Sequence, residues 1–472
     1  MHVRFGDGTV EEYEDREFAN AGAEGKIYRS LDKRSVVKIY RPEKQTPERI
    51  DRIETLISTF NPVNGDPYWQ ELFAWPQKLV THIEHGGRMQ GRIGFRMKCV
   101  QDMRTLDHYL YQIAFKRLSV EERGWFIGRI ACAIRIACAA DRLAHMGLCY
   151  ADFAEKNIMV NPLSGYACLI DCDSLTVPGE LEATIKGTPW YCAPEIVTQQ
   201  VKVPSLETDR HALAILFHLW LLGAHPLIEL NGNQADEFYL GEQARYQAHY
   251  IEHQADPISS SLNAENLGPA LQQLFEQAFS DGLHKPDLRP RPRSWAEALM
   301  KTYDWLIPCA SLSCGWGFFI ARPHAAFICP NCHTSLQEPM TLPFLYLLSP
   351  NVLTSDSVHT EGTEIGSPHY IVGWPERPLH QWHIQYNSTP LPFPGQRHAT
   401  DTTPYAIFRY DSDGNWFLEN CKMPNLSYYQ PSLAQWQTCQ IGGSVPLRPQ
   451  TLIRFDLVDA YLASIVLYQV KR

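Results

Sequence analysis

An α+β fold in three successive parts is predicted for this 472-residue chain, and three observations predict it. A central stretch, CYADFAEKNIMVNPLSGYACLIDCDS, places Asp152 five residues before Asn157 and reaches Asp171 after two apolar runs joined by a turn. Two cysteine pairs, Cys309/Cys314 and Cys329/Cys332, follow with ligand-like spacing. From about Leu342 the pattern changes to short alternating strands broken by Pro, Gly, Asn and Asp, which argues for an all-β sandwich.

Composition sets the frame. The chain is too long for one ordinary domain, and 44% hydrophobic residues with 11% aromatics suffice for packed cores. A net charge of −10 argues against a nucleic-acid footprint. The opening MHVRFGDGTVEEYEDRE has no basic-then-apolar pattern, so a cleaved leader is not expected. The most apolar long window, Leu213–Ile228, is interrupted by His218 and His225 and is short for a membrane span. Of the 13 cysteines, those outside the two pairs lie scattered within apparent helices and strands, where free buried thiols are common. A reduced, cytoplasmic protein without nucleic-acid or membrane partners is expected.

The central stretch has a chemical logic. Phosphoryl transfer needs one carboxylate beside the attacking hydroxyl and two oxygen ligands on a metal that neutralises the triphosphate. A loop followed by a hairpin brings Asp152, Asn157 and Asp171 to one point. Upstream, Asn20-Ala21-Gly22-Ala23-Glu24-Gly25-Lys26-Ile27 is a small-residue hairpin whose backbone N–H groups can approach phosphate oxygens. Lys38 lies thirteen residues after Gly25 inside the run Val36-Val37-Lys38-Ile39, where an ammonium needs an anionic partner. Thr46-Pro47-Glu48 starts a helix that runs to about Thr59, with Ile50, Ile53, Leu56 and Ile57 as its inward stripe. Glu54, at the edge of that stripe, is the favoured partner for Lys38; Glu48, in the first turn, could instead serve the helix dipole.

Taken together, these motifs resemble a bacterial serine/threonine protein kinase. The match is to the lineage that carries a zinc ribbon and is encoded near tellurite-resistance-type phosphatase and von Willebrand A proteins. It covers roughly residues 15–305 and implies a bilobal kinase domain over 1–305, with lobes at about 1–100 and 101–305. By resemblance, Gly22, Gly25 and Ile27, with Asn20 at the first glycine position, cover the phosphates of ATP, and Lys38 holds the α/β-phosphates. The strand Arg92–Val100 joins the lobes, so the backbone of Lys98 and Val100 faces adenine. Asp152 matches the catalytic base, and Asn157 and Asp171 the ligands of Mg²⁺ or Mn²⁺. Asp209 matches the aspartate that anchors the catalytic-loop backbone. Glu195, in Cys192-Ala193-Pro194-Glu195, matches the glutamate that pairs with an arginine of LRPRPRSW, Arg289 or Arg291, of which Arg291 is taken here.

Departures from the pattern carry their own expectations. Tyr150-Ala151-Asp152 lacks the arginine that reads a phosphorylated activation segment, so activity is expected without such phosphorylation. Lys156 is a candidate substitute for the lysine that contacts the transferred phosphate, or else an exposed lysine. Asp173 stands where glycine is usual, as a second metal carboxylate or a turn residue. The altered motifs keep a rival reading open, a pseudokinase scaffold without phosphotransfer.

Four thiolates in the spacing Cys309-x4-Cys314 and Cys329-x2-Cys332 predict a tetrahedral, closed, structural zinc site over residues 306–340. Arg322 is the only arginine or lysine between Cys309 and Cys332, while Trp316, Phe318 and Phe319 suit protein docking better. Residues 341–472 resemble a forkhead-associated domain through Gly373-Trp374, His380-Gln381-Trp382-His383 and Asn425-Leu426. A glutamine at the phosphate-binding position loses the charge-assisted contact, so a degenerate interaction domain is expected. A protein substrate, and by resemblance a von Willebrand A protein and a metal-dependent phosphatase, are the expected partners.

Overall fold

Period-two alternation builds the first strands: Val3 and Phe5 are buried and His2 and Arg4 exposed in β1 (His2–Phe5). It joins β2 (Val10–Ala19), β3 (Gly25–Ser30), β4 (Ser35–Tyr40), β5 (Lys78–His85) and β6 (Arg88–Lys98) in a closed antiparallel barrel ordered β1-β2-β3-β4-β6-β5. A computed structural model describes residues 1–19, 24–110, 118–183, 185–228, 240–246, 264–348, 369–380, 383, 404–455 and 462–470. The chain divides into two compact units: Met1–Leu118, Cys132–Gln247 and Phe275–Arg293 form one, and Ser119–Ala131, Ala248–Leu274 and Ser294–Arg472 the other.

In the first unit, β4 is buried along its whole length because β3 and β6 flank it, which suits its β-branched run. Register places Lys38 opposite Ile27 on one side and Phe95 on the other. A Cβ on Gly94 would lie 2.1 Å from the Lys38 carbonyl, so this close strand pairing requires glycine. The helix α1 (Pro47–Ser58) starts after Thr46 and buries Arg52, Ile53 and Leu56. Next, α2 (Pro67–Leu72) is capped by Asp66, whose carboxylate accepts from Tyr68 N–H at 2.8 Å.

The remainder of this unit carries the central stretch. A small sheet β7 (Arg104–Thr105), β8 (Ile158–Asn161) and β9 (Tyr166–Leu169) holds the hairpin around Asn161, which accepts from Leu163 N–H. The helix expected from Ser119 to His145, of which Ser119–Ala131 belongs to the second unit, is divided. Ser119 and Glu122 do form a reciprocal cap, but Gly124 takes a left-handed φ of 70°, and α3 runs from Phe126 to His145. The apolar window around Leu213 lies in α4 (Leu206–Leu222), opened by a Ser205 capping box and closed by left-handed Gly223. Nearly every side chain of α4 beyond its first turn is buried, as an all-round apolar helix requires. No described helix is long and apolar enough to cross a membrane.

In the second unit, α5 (Pro292–Asp304) leads to β10 (Leu306–Pro308) and β11 (Phe318–Ile320), which flank the first cysteine pair. A six-stranded antiparallel sheet follows, ordered β13 (Tyr370–Val372), β12 (Thr341–Leu348), β21 (Leu462–Gln469), β20 (Leu452–Arg454), β17 (Ser427–Tyr429), β18 (Trp436–Thr438). A four-stranded one contains β14 (Pro378–Leu379), β15 (Ala406–Tyr410), β16 (Trp416–Asn420) and β19 (Ser444–Pro446). Trp416 of β16 donates its indole N–H to Thr341 O of β12 at 2.9 Å. Asp304 ends α5 fully buried, with His369 at 3.0 Å, Arg377 at 3.3 Å and His383 at 3.4 Å from its carboxylate. His383, expected in a peptide-facing loop, is thus committed to the interior, while Gln381 and Trp382 lie outside the described residues.

Candidate active site

The central stretch is fixed from beneath. Asp209, buried in the first turn of α4, accepts the N–H of Tyr150 at 2.6 Å and of Ala151 at 2.9 Å. Burial pushes its carboxyl up to about 7, although the two N–H groups favour the charged form. Ala151 has a left-handed φ of 68°, a backbone shape that alanine rarely takes and that the clamp at its N–H holds. The Tyr150 hydroxyl reaches the carbonyls of Asn157 and Ile170, and Ile170 N–H donates to Asn157 O at 2.9 Å. These bonds tie the backbone of Asn157 to that of Ile170, the residue before Asp171.

Asp152 is half-buried and fully engaged. Its Oδ2 accepts from Asn157 Nδ2 at 2.7 Å, and its Oδ1 accepts from the N–H and hydroxyl of Thr188 at 2.8 and 2.7 Å. Spending the amide nitrogen of Asn157 on Asp152 leaves its oxygen as the atom suited to a cation. Gly187, before Thr188, has a φ of 99°, and a Cβ there would sit 3.0 Å from Ala151 O, so this approach demands glycine. Glu195 anchors the segment beyond: both its oxygens receive the Arg289 guanidinium, at 2.7 and 2.8 Å. The pairing therefore falls to Arg289. Arg291 is exposed, being placed just outside the start of α5 by the proline at its first position.

Lys38, itself buried, lies at the centre of a charge cluster. Its ammonium donates to Asp171 Oδ1 at 2.5 Å and to Asp173 at 2.9 and 3.0 Å, with Glu24 at 3.6 Å. Burial works against its charge, but Asp173 and Asp171 outweigh that and hold it above its usual range. Asp173, despite complete burial, is kept below the usual carboxylate range by Lys38 and by the Tyr40 hydroxyl that donates to it. Burial and the neighbouring Asp173 push Asp171 up to about 6.

The helix contributes cations instead of an acid. Glu54 is exposed and makes no ion pair with Lys38, because the inward face of α1 carries Arg49, Arg52, Ile53 and Leu56. Arg49 binds Glu24 at 2.9 Å and stacks on Tyr40. Arg52 donates to Leu175 O at 2.5 Å and to Glu182 O. Sequence reading missed both arginines; their three-residue spacing beside Ile53 and Leu56 was the available signal. Glu48 is also exposed.

Other expected residues fall as follows. Ile27, Val100, Met103 and Ile170 are half-buried apolar neighbours of a core containing Val36 and Phe95. Lys98 spends its ammonium on the carbonyls of Gln70 and Glu71 at the C-terminus of α2. Lys156 is exposed, and Gly25 pairs with Tyr40 across β3 and β4. Asn20 and Gly22 lie outside the described residues.

A second site lies in the other unit. The Sγ atoms of Cys309, Cys314, Cys329 and Cys332 all lie within 4.8 Å of one another. Separations of 3.4 Å (Cys309–Cys332) and 3.7 Å (Cys314–Cys329) are far beyond an S–S bond and close to the sulfur spacing around tetrahedral zinc. Ser311 N–H, Asn331 Nδ2 and the Thr334 hydroxyl lie 3.3–3.5 Å from three of the sulfurs, a donor set that suits thiolates. The residues present therefore fit a closed four-sulfur zinc site. Trp316 is buried and stacks on Phe126 at 4.5 Å, and Phe319 is buried too, so these aromatics pack the unit instead of facing a partner.

No family model and no curated protein matches the chain. Among solved structures it is similar to the ROP18 kinase domain in complex with AMP-PNP and sucrose, at 17% identity and a TM-score of 0.44, over 64% of this chain and 83% of that one.

Proposed function

We propose that the chain is an ATP-dependent serine/threonine protein kinase, moving the γ-phosphoryl group of ATP to a protein hydroxyl. The observation that carries this reading is the engagement of Asp152 by Asn157 and Thr188, together with a buried Lys38 that contacts Asp171. Lys38 would bind the α/β-phosphates, and Asp152 would accept the proton of the attacking hydroxyl. Gly25 and Ile27 would lie over the nucleotide, with Val100, Met103 and Ile170 against its base. A magnesium or manganese ion held by Asn157 and Asp171 would neutralise triphosphate charge. Four-sulfur zinc would be structural, and the C-terminal sheets would dock partners.

Activity independent of activation-segment phosphorylation is part of the proposal. Ser174 and Thr176 are buried, the Thr188 hydroxyl is committed to Asp152, and Arg52 holds the backbone of Leu175 and Glu182; Thr184 lies outside the described residues. A cytoplasmic location and recruitment of a von Willebrand A protein and a metal-dependent phosphatase rest on the sequence resemblance. A pull-down from the native host that recovers neither partner would remove that part.

One observation favours a second reading, a scaffold that binds nucleotide or partners without transfer. Lys38 is already saturated by carboxylates, including the Asp171 that a metal would need. Radiolabelled ATP given to wild type, Asp152→Ala and Asp171→Ala with a generic protein acceptor separates the two. Label transferred by wild type alone supports the kinase; Mg-ATP binding without transfer supports the scaffold.

A further inference from the structure

We infer that Asp173, and no acid of α1, is the positioning residue for Lys38. The inference rests on the proposed nucleotide role of Lys38. Asp173 is fully buried and offers both oxygens to the ammonium at nearly equal distance, which fixes the direction of the lysine side chain. Tyr40 donates to the same carboxylate, and Arg49 lies 3.8 Å away, so the carboxylate is held from three sides. The acids of α1 face water, and the helix turns two arginines inward.

The arrangement has a consequence for how the site assembles. Two carboxylates hydrogen-bond one ammonium, with Glu24 farther off at 3.6 Å, and the two are two residues apart in one turn. When Asp171 turns to a metal ion, Asp173 keeps hold of Lys38, so the lysine needs no partner from α1. The carboxylate that holds Lys38 thus lies after β9 and not on α1, and Arg52 ties the helix to the same segment through Leu175 O and Glu182 O. A shift of α1 that opened a helix-borne ion pair would here leave the Lys38 pair intact. Position of the activation segment, more than that of the helix, sets the lysine.

The test is a double-mutant cycle read by binding of fluorescent N-methylanthraniloyl-ATP with Mg²⁺, together with phosphoryl transfer. Asp173→Asn is expected to weaken binding about tenfold in the wild-type background and to add nothing in Lys38→Met, as coupled residues do. Glu54→Gln is expected to change neither affinity nor transfer. A full loss in Asp173→Asn that persists in Lys38→Met overturns the inference, as does a loss in Glu54→Gln equal to that in Lys38→Met. If Asp173→Asn does not fold, Glu54→Gln against Lys38→Met decides alone, with Asp173→Glu as the charge-preserving control. Wild type that binds nucleotide without transferring phosphate defeats the kinase reading while the cycle still tests Asp173; wild type that binds no nucleotide overturns both.

Discussion

Arg289 meets Glu195 through two parallel bonds of 2.7 and 2.8 Å, and both side chains are buried. Carbonyls of Gly282, Leu283 and Glu207 take the other guanidinium N–H groups, so its donors are well satisfied. Removing one partner leaves a buried charge uncompensated, which costs about 3–5 kcal/mol. Arg289→Ala should therefore lower stability by about that much in urea unfolding, whereas exposed Arg291→Ala should stay within about 0.5 kcal/mol. Equal losses would return the pairing to Arg291.

Thr188 offers a sharper probe of the proposed phosphoryl transfer than the acids themselves. Its hydroxyl and N–H both lie on Asp152 Oδ1, and the hydroxyl bond is charge-assisted. Thr188→Val keeps the volume and the N–H bond and loses one hydrogen bond to a charged group, about 1.5 kcal/mol. Phosphoryl transfer should fall roughly tenfold with Mg-ATP affinity unchanged, and Thr188→Ser should recover it. A fall in affinity without a fall in turnover would place Thr188 on the nucleotide side instead.

Much of this site could be read from spacing alone, because its residues are tied to short local motifs. Asp152, Asn157 and Asp171 belong to one loop and hairpin, and the turn chemistry of Asn161 fixes how they fold together. Residues whose role depends on a long-range partner were less legible. Glu54 has the right distance along the chain from Lys38 but sits on the outer face of α1, where a two-residue rotation separates it from Arg52. Arg289 and Arg291 are two residues apart with the same chemistry, and only the extended turn before α5 decides which points inward. Gly124 ends the segment that Ser119 and Glu122 cap, since a capping box marks a start and says nothing of length. His383 illustrates the reverse: a motif residue suited to a binding loop is drawn inside by Asp304, which lies 79 positions earlier in the sequence.

Acid should destabilise the first unit through two buried histidines. His218 Nδ1 lies 2.6 Å from Ala224 O; His225 Nε2 lies 2.9 Å from Trp190 O, while its Nδ1 accepts from Leu227 N–H. Burial lowers each to about 4, below the 6.5 of the unfolded chain. As pH falls the unfolded state takes up protons first, so stability is full above about 6.5 and is lost down to about 4. At 1.36 kcal/mol per pH unit the loss approaches about 3 kcal/mol for each histidine. Asp209 and Asp171, raised to about 7 and about 6, oppose this, and buried His211, lowered as well, adds to it, so the contribution is read as a difference. Between about pH 6.5 and 4 in urea unfolding, His225→Gln should lose about 3 kcal/mol less than wild type, and no difference would assign acid sensitivity elsewhere.

Zinc removal should act on the second unit. Closing four thiolates on one ion ties β10 and β11 to the segment around Cys329, and no sulfur is left open for chemistry. One zinc per chain is expected by elemental analysis, lost in Cys314→Ser/Cys329→Ser. Because such sites exist only in the folded state, their binding energy is folding energy, and the metal-free protein should melt well below the native one. The Phe126–Trp316 stack, at 4.5 Å and 5° between planes, provides a local reporter. Tryptophan fluorescence should shift on chelation before the first unit unfolds, and the nucleotide binding proposed at Lys38 should survive the same treatment. Simultaneous loss of both would show that the ribbon supports the nucleotide site itself.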